Sequence, residues 1–223
     1  MMIIHCSWTG VDPLAEKYYG ITPYVYCAGD PVNRVDPEGR WDVKVSASSD
    51  RKTNPYAIFS VFDRNQNLIY KTVVRVKGIG GRDRTKKFAD TPTGKYRILE
   101  WRKTGNDRYK VVSYGINDLL ALEYYEGEAM VTHRQGMHVH GGRDQSALSN
   151  TQGCIRIADD DILELKMLTE SLEKSDPLEE KGILQVANDL DTPVKFIERQ
   201  FIKDNWERYL GELPAAIVTA KRN

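Results

Sequence analysis

His138-Val139-His140-Gly141-Gly142 and, one short loop later, Thr151-Gln152-Gly153-Cys154-Ile155-Arg156 are the stretch that decides how this chain is read. Alternate residues of an extended segment share a face, so His138 and His140 project together. Cys154 and Arg156 are related the same way across Ile155. One strand and one loop are enough to bring a thiol, two imidazoles and a guanidinium to one place. Glycines flank the reactive residues: Gly141 and Gly142 follow His140, and Gly153 precedes Cys154. Backbone approaches closely at such positions.

Three chemistries use these residue types. A cysteine between Gly153 and Ile155, taken alone, reads as a small buried apolar residue. His138, His140 and Cys154 are also three zinc-type ligands, with Asp144 or His133 as a fourth. No Cys-x-x-Cys or His-x-x-x-His element fixes such a site, however. The third chemistry is covalent acyl transfer, in which a neighbouring imidazole activates the thiol. His140 is then the base, and the amides around Gly153 and Cys154 are the oxyanion donors. Gly141 and Gly142 leave room for substrate backbone, and Arg156 holds a carboxylate or orients the site. None of this calls for a cofactor.

Composition narrows the partners. The 32 basic and 32 acidic residues among 223 cancel, which points away from nucleic acid and from anionic membranes. Mean hydropathy is −0.53, that of a well-wetted surface. No apolar run approaches the ~20 residues that span a bilayer. Met1-Met-Ile-Ile-His5-Cys6 lacks the basic n-region of a signal peptide. Three cysteines are too few for a disulfide framework; Cys6 and Cys27 can pair, leaving Cys154 free.

From Trp41 the pattern is β-rich. Tyr56–Phe62 and Leu68–Val76 flank a polar turn at Asp63-Arg-Asn-Gln-Asn67, which predicts a hairpin. Lys77–Asp83 is a glycine-rich loop without the Gly-Lys-Ser/Thr end of a phosphate cradle. Thr91-Pro-Thr-Gly94 turns into a strand over 95–101, and Asn117–Leu122 reads as a short helix. A clear helix follows Cys154, capped by Asp159 or Asp160, with Ile162, Leu165, Leu168 and Leu172 on one face. Residues 174–181 read as a charged connector and Asp191–Ile197 as the closing strand. Residues 199–223 read as a charged helical tail containing Trp206, Tyr209 and Leu210.

Residues 1–40 differ. Short pieces rich in proline, glycine, aspartate and tyrosine, such as Asp12-Pro-Leu, Tyr24-Val-Tyr26 and Pro31-Val-Asn-Arg-Val-Asp36-Pro-Glu-Gly39, form turns rather than a core. They resemble the end of an Rhs/YD-repeat core, the β-rich shell that precedes a variable effector domain. Many members of that family cleave themselves at an Asp-Pro-x-Gly-Leu step, where this chain has Arg40. Met1 falls inside the pattern, as expected of a truncated or displaced gene fragment.

The later motifs resemble the L,D-transpeptidase (YkuD-type) catalytic domain over roughly residues 43–198. Thr91-Pro-Thr-Gly94, His140-Gly141, Thr151-Gln152-Gly153-Cys154-Ile155-Arg156, the helix from Asp160 and Thr192-Pro-Val194 fall in the family's order. The resemblance implies a mainly β fold, a β-sandwich with one or two helices packed on it, at residues 41–198. It makes Cys154 the nucleophile, His140 the general base and Arg156 the block's arginine. Gln152 stands where the family has a histidine, which leaves His138 as the candidate for that supporting role. The loop between His140 and Cys154 is at the family's short end, favouring water or a small amine as acceptor. The implied substrate is the stem peptide of peptidoglycan, cut at its L-to-D bond. Together the two resemblances imply an exported antibacterial effector acting in a target cell's periplasm, accompanied by an Rhs shell and an immunity protein. A decayed wall-binding module and a thiol deamidase toxin are the alternatives.

Overall fold

The computed structural model describes residues 40–175 and 180–207; the Rhs-like stretch, the possible Cys6–Cys27 pair and the tail beyond residue 207 lie outside these. Among the described residues there are eight strands: β1 (Arg40–Ala47), β2 (Tyr56–Phe62), β3 (Leu68–Arg75), β4 (Gly94–Arg102), β5 (Leu119–Glu126), β6 (Met137–His140), β7 (Ile155–Arg156) and β8 (Glu180–Ala187). Four helices join them: α1 (Val111–Tyr114), α2 (Glu128–Val131), α3 (Asp159–Ser175) and α4 (Arg199–Glu207). The mainly β, sandwich-type fold with helices packed on it is as expected. Its sheets also run into one another, closing a ring in the order β1-β2-β3-β7-β6-β5-β4-β8. Pairing is antiparallel except at β1/β8 and β6/β7.

Local chemistry explains the elements. The β2–β3 hairpin turns on Asp63, whose carboxylate accepts the backbone N–H groups of Asn65 and Asn67 at 2.9 and 2.8 Å. Ile162, Leu165, Leu168 and Leu172 give α3 its buried face, packed on the core with Phe59 and Val139. Asp161, in the first turn of α3, is fully buried and held by Thr72, Arg199 and Lys203. The last two belong to α4, so the expected tail helix is docked on the barrel beside β3 and is part of the fold.

Two expectations are corrected. Asn117–Leu122 is not a helix; its apolar residues open β5. Leu120 and Leu122 face the main core, while Leu119 and Ala121 pack with Tyr109 on the other side. A strand buried on both faces has no alternation, and a short apolar run of that kind has no readable period. The closing strand is not Asp191–Ile197, and Thr192-Pro-Val194 is not a strand either. That role falls to β8, whose first residues had been assigned to the connector. Leu184 and Val186 of β8 are buried between β1 and β4. The Pro193 segment leads instead into a 3-10 turn at Phe196–Glu198.

Candidate active site

β6 and β7 lie side by side in parallel, with Val139 opposite Ile155 and His140 opposite Arg156. Val139 and Ile155 are fully buried in the core, so the alternate residues on both strands face the other way. That face opens on a cleft of ≈ 630 Å³ lined by Cys154, His140, Arg156, Thr151 and Gln152, with Tyr114 and Arg134. The parallel pairing is what brings thiol, imidazole and guanidinium together.

His140 Nδ1 lies 2.9 Å from the Gly141 carbonyl oxygen. A carbonyl only accepts, so Nδ1 carries the hydrogen and the Nε2 lone pair is left for a proton. Arg156 holds that carbonyl in place: its Nη1 donates to Gly141 O at 2.7 Å and to Gly142 O at 2.6 Å. Arg156 thus orients the loop after His140. Burial, and then the Arg156 charge, push His140 down to about 3, so the ring is neutral at neutral pH.

Burial also pushes the Cys154 thiol up, against the opposing pull of the His138 backbone N–H and the Arg134 and Arg156 charges. The resting pair is therefore neutral thiol and neutral imidazole. The thiol is free, and its sulfur lies 3.7 Å from the Gly136 carbonyl oxygen. The Cys154 carbonyl accepts from Thr151 Oγ1 at 2.7 Å and Thr91 Oγ1 at 3.1 Å. Thr91 is the first residue of the Thr-Pro-Thr-Gly turn, which ties that distant motif to the cysteine loop.

The glycines do other work than expected. The Gly153 N–H donates to Thr151 Oγ1 at 3.1 Å, so of the two amides it is already committed. Gly153 has φ 106° and lies under the Arg134 guanidinium, where a side chain would overlap. Gly141 faces the Asp159 carboxylate, so its small size serves packing and not substrate backbone. Asp159 also accepts the Gly142 N–H at 2.8 Å.

His138 faces an aromatic cluster, 5.4 Å from the Tyr109 ring and 6.0 Å from that of Tyr114. Its Nδ1 is buried without a partner, and burial pushes its pKa down to about 4. Gln152 is exposed at the cleft, and its carbonyl accepts from Arg134 Nη2 at 3.1 Å. His133 lies at the cleft edge with φ 46°, against Tyr124. Among the described residues no group of three His, Cys, Asp or Glu side chains is arranged to hold a metal ion. No helix among them is long and apolar enough to cross a membrane. The sequence reading missed Arg134, in an irregular segment, and Tyr114, at the end of the one-turn helix α1; neither carries a periodic or motif signal.

A β-rich domain in which a tautomer-fixed imidazole on β6 lines one cleft with a thiol just before the parallel strand β7 has the layout of a candidate cysteine-type active site. The family model of the L,D-transpeptidase catalytic domain (YkuD) matches residues 45–170, and the chain belongs to that family. Its members are cysteine-dependent L,D-transpeptidases. The comparison with curated proteins returns no match. Among solved structures, "Structure of Bdellovibrio bacteriovorus Bd1075" is similar at 17% identity and a TM-score of 0.47, over 79% of this chain. The chain spans 58% of the length of that structure.

Proposed function

We propose that this domain is a cysteine acyltransferase acting on peptidoglycan stem peptides. Cys154 is the nucleophile and His140 Nε2 the base that takes its proton as sulfur bonds to the carbonyl carbon of the L-to-D peptide bond. The Cys154 N–H faces the resulting oxyanion, because the Gly153 N–H is engaged. The proton then passes from His140 to the leaving nitrogen, the C–N bond breaks, and terminal D-alanine departs. The thioester is released by an amine, giving transpeptidation or exchange, or by water, giving a tripeptide. The observation that carries this reading is the His140–Gly141–Arg156 chain, which fixes the tautomer a general base needs. It also favours an enzyme over a decayed wall-binding module, which has no use for an anchored imidazole.

Carriage as an Rhs-borne antibacterial effector is part of the proposal, supported by the sequence of residues 1–39 alone. Mass spectrometry of muropeptides incubated with the whole chain tests the chemistry. Conversion of tetrapeptides to tripeptides, exchanged peptides or new cross-links is expected, and all should vanish with Cys154→Ala. Unchanged muropeptides, or equal conversion by the variant, would refute it. The effector role is tested by expressing both forms in a bacterial periplasm; equal growth of the two cultures would sink it.

A further inference from the structure

The cleft beside Cys154 has a one-sided charge. Its lining contains four cations, Lys87, Arg134, Arg143 and Arg156, and no aspartate or glutamate. The chain as a whole is neutral, so this is a local concentration of charge.

Of the carboxylates beneath the lining, Asp90 pairs with Arg82 at 2.7 Å and accepts the Gly78 N–H, while Asp159, which accepts the Gly142 N–H, offsets part of the Arg156 charge only. Arg134 is satisfied by backbone carbonyls alone: those of Arg84, Lys86 and Asp90 through Nη1, and of Ala89 and Gln152 through Nη2. Arg156 likewise binds only carbonyls, and its buried Nε has no acceptor. Carbonyls satisfy donors without neutralising them. Lys87 and Arg143 are both exposed; Lys87 makes a cation–π contact with Phe88.

The two exposed cations come from different segments of the cleft lining. Lys87 belongs to the segment whose Ala89 carbonyl reaches Gly153, through Arg134. Arg143 follows Gly142, whose carbonyl Arg156 holds. Uncompensated cations in a concave, partly dry site attract anions and bind carboxylates by charge-assisted hydrogen bonds.

We propose that the cleft selects its peptide by negative charge, with Arg143 and Lys87 as specificity residues that hold free carboxylates flanking the attacked carbonyl. The inference rests on the stem-peptide reading for its choice of peptide. Masking those carboxylates as amides removes the charge while leaving the backbone and the scissile bond unchanged.

The test uses two tetrapeptides, L-Ala-γ-D-Glu-meso-diaminopimelyl-D-Ala as the free acid and the same peptide with its D-Glu, diaminopimelyl side and terminal D-Ala carboxylates amidated. Binding is measured on the whole chain carrying Cys154→Ala, which needs no turnover, and turnover on the unaltered chain. The free acid is expected to bind about tenfold more tightly, with an advantage that shrinks as salt is raised. Arg143→Gln and Lys87→Gln should each weaken the free acid by roughly three- to fivefold and leave the amide unchanged. Equal affinity for both peptides, or equal loss for both in the variants, overturns the charge selection even where turnover is seen. Charge-dependent binding without turnover upholds it and refutes the acyltransferase. Failure to bind either peptide overturns both.

Discussion

Replacing Arg156 by methionine separates what the guanidinium does for the fold from what it does for the site. The change removes one of two donors from each of two buried carbonyls: Gly141 O keeps His140 Nδ1 at 2.9 Å and Gly142 O keeps Gln145 Nε2 at 2.9 Å, while the Arg156 bonds at 2.7 and 2.6 Å are lost. A hydrogen bond to a charged donor contributes about 1.5–3 kcal/mol, or ~3–6 kcal/mol for the two. Against this, burial has pushed Arg156 well below the usual guanidinium range, down to about 10. That corresponds to roughly 3 kcal/mol of penalty for the charge, which methionine relieves. The opposing effects leave a net loss of no more than about 3 kcal/mol, readable by equilibrium urea unfolding. Activity has no such offset. An unpinned Gly141 carbonyl lets the His140 ring turn, and a displacement on the order of 1 Å costs about a hundredfold in rate. Nitrogen-detected NMR of the ring should show Nδ1–H in the unaltered chain and a tautomer mixture in the variant. Turnover within about threefold of the unaltered chain, with the tautomer intact, would refute the role assigned to Arg156.

Acid should destabilise the fold through its histidines. His138 and His140 are held neutral, at about 4 and about 3, while both titrate near 6.5 when unfolded. The unfolded chain then binds more protons below pH 6.5, so stability is complete above that pH and falls as pH drops toward 3. Between pH 7 and pH 5 the loss is about 2 kcal/mol per histidine, and unfolding curves for His138→Gln should show roughly half the slope. Thr91→Val removes one of the two donors to the Cys154 carbonyl; a loss of about 1 kcal/mol and a Tm lower by roughly 2–4 °C are expected by calorimetry. Lys203→Met leaves Asp161 buried with Arg199 and Thr72 only. Chemical denaturation should report a loss of about 3 kcal/mol, and an unchanged midpoint would show that α4 does not depend on this contact.

The site was legible because its residues cluster in two short segments that one parallel strand pair joins. Alternation placed His138 with His140, and Cys154 with Arg156, without any tertiary information. The hairpin and α3 were legible for the same reason, each carrying a complete period. β5 was not, because Leu119 to Leu122 are buried on both faces and leave no polar face to mark the period. β8 was missed because its charged start at Glu180-Lys181 reads as linker and Thr192-Pro-Val194 offered a rival. Arg134 was out of reach for another reason: its contacts are to backbone carbonyls, which no side-chain pattern announces. The departure at Gln152 was visible, yet what covers that carbonyl came from elsewhere in the chain.

The insertion of β8 between β1 and β4 sets an order on how the molecule can be made. Every residue of the candidate site has left the ribosome by Arg156, but the ring is open until residues 180–187 follow. Until then β1 and β4 each expose an unpaired edge, the surface on which strands of different chains join. The matched family region stops at residue 170, short of this strand. A recombinant fragment trimmed to that boundary would carry all of the chemistry and aggregate, while one extended through α4 would stay monodisperse.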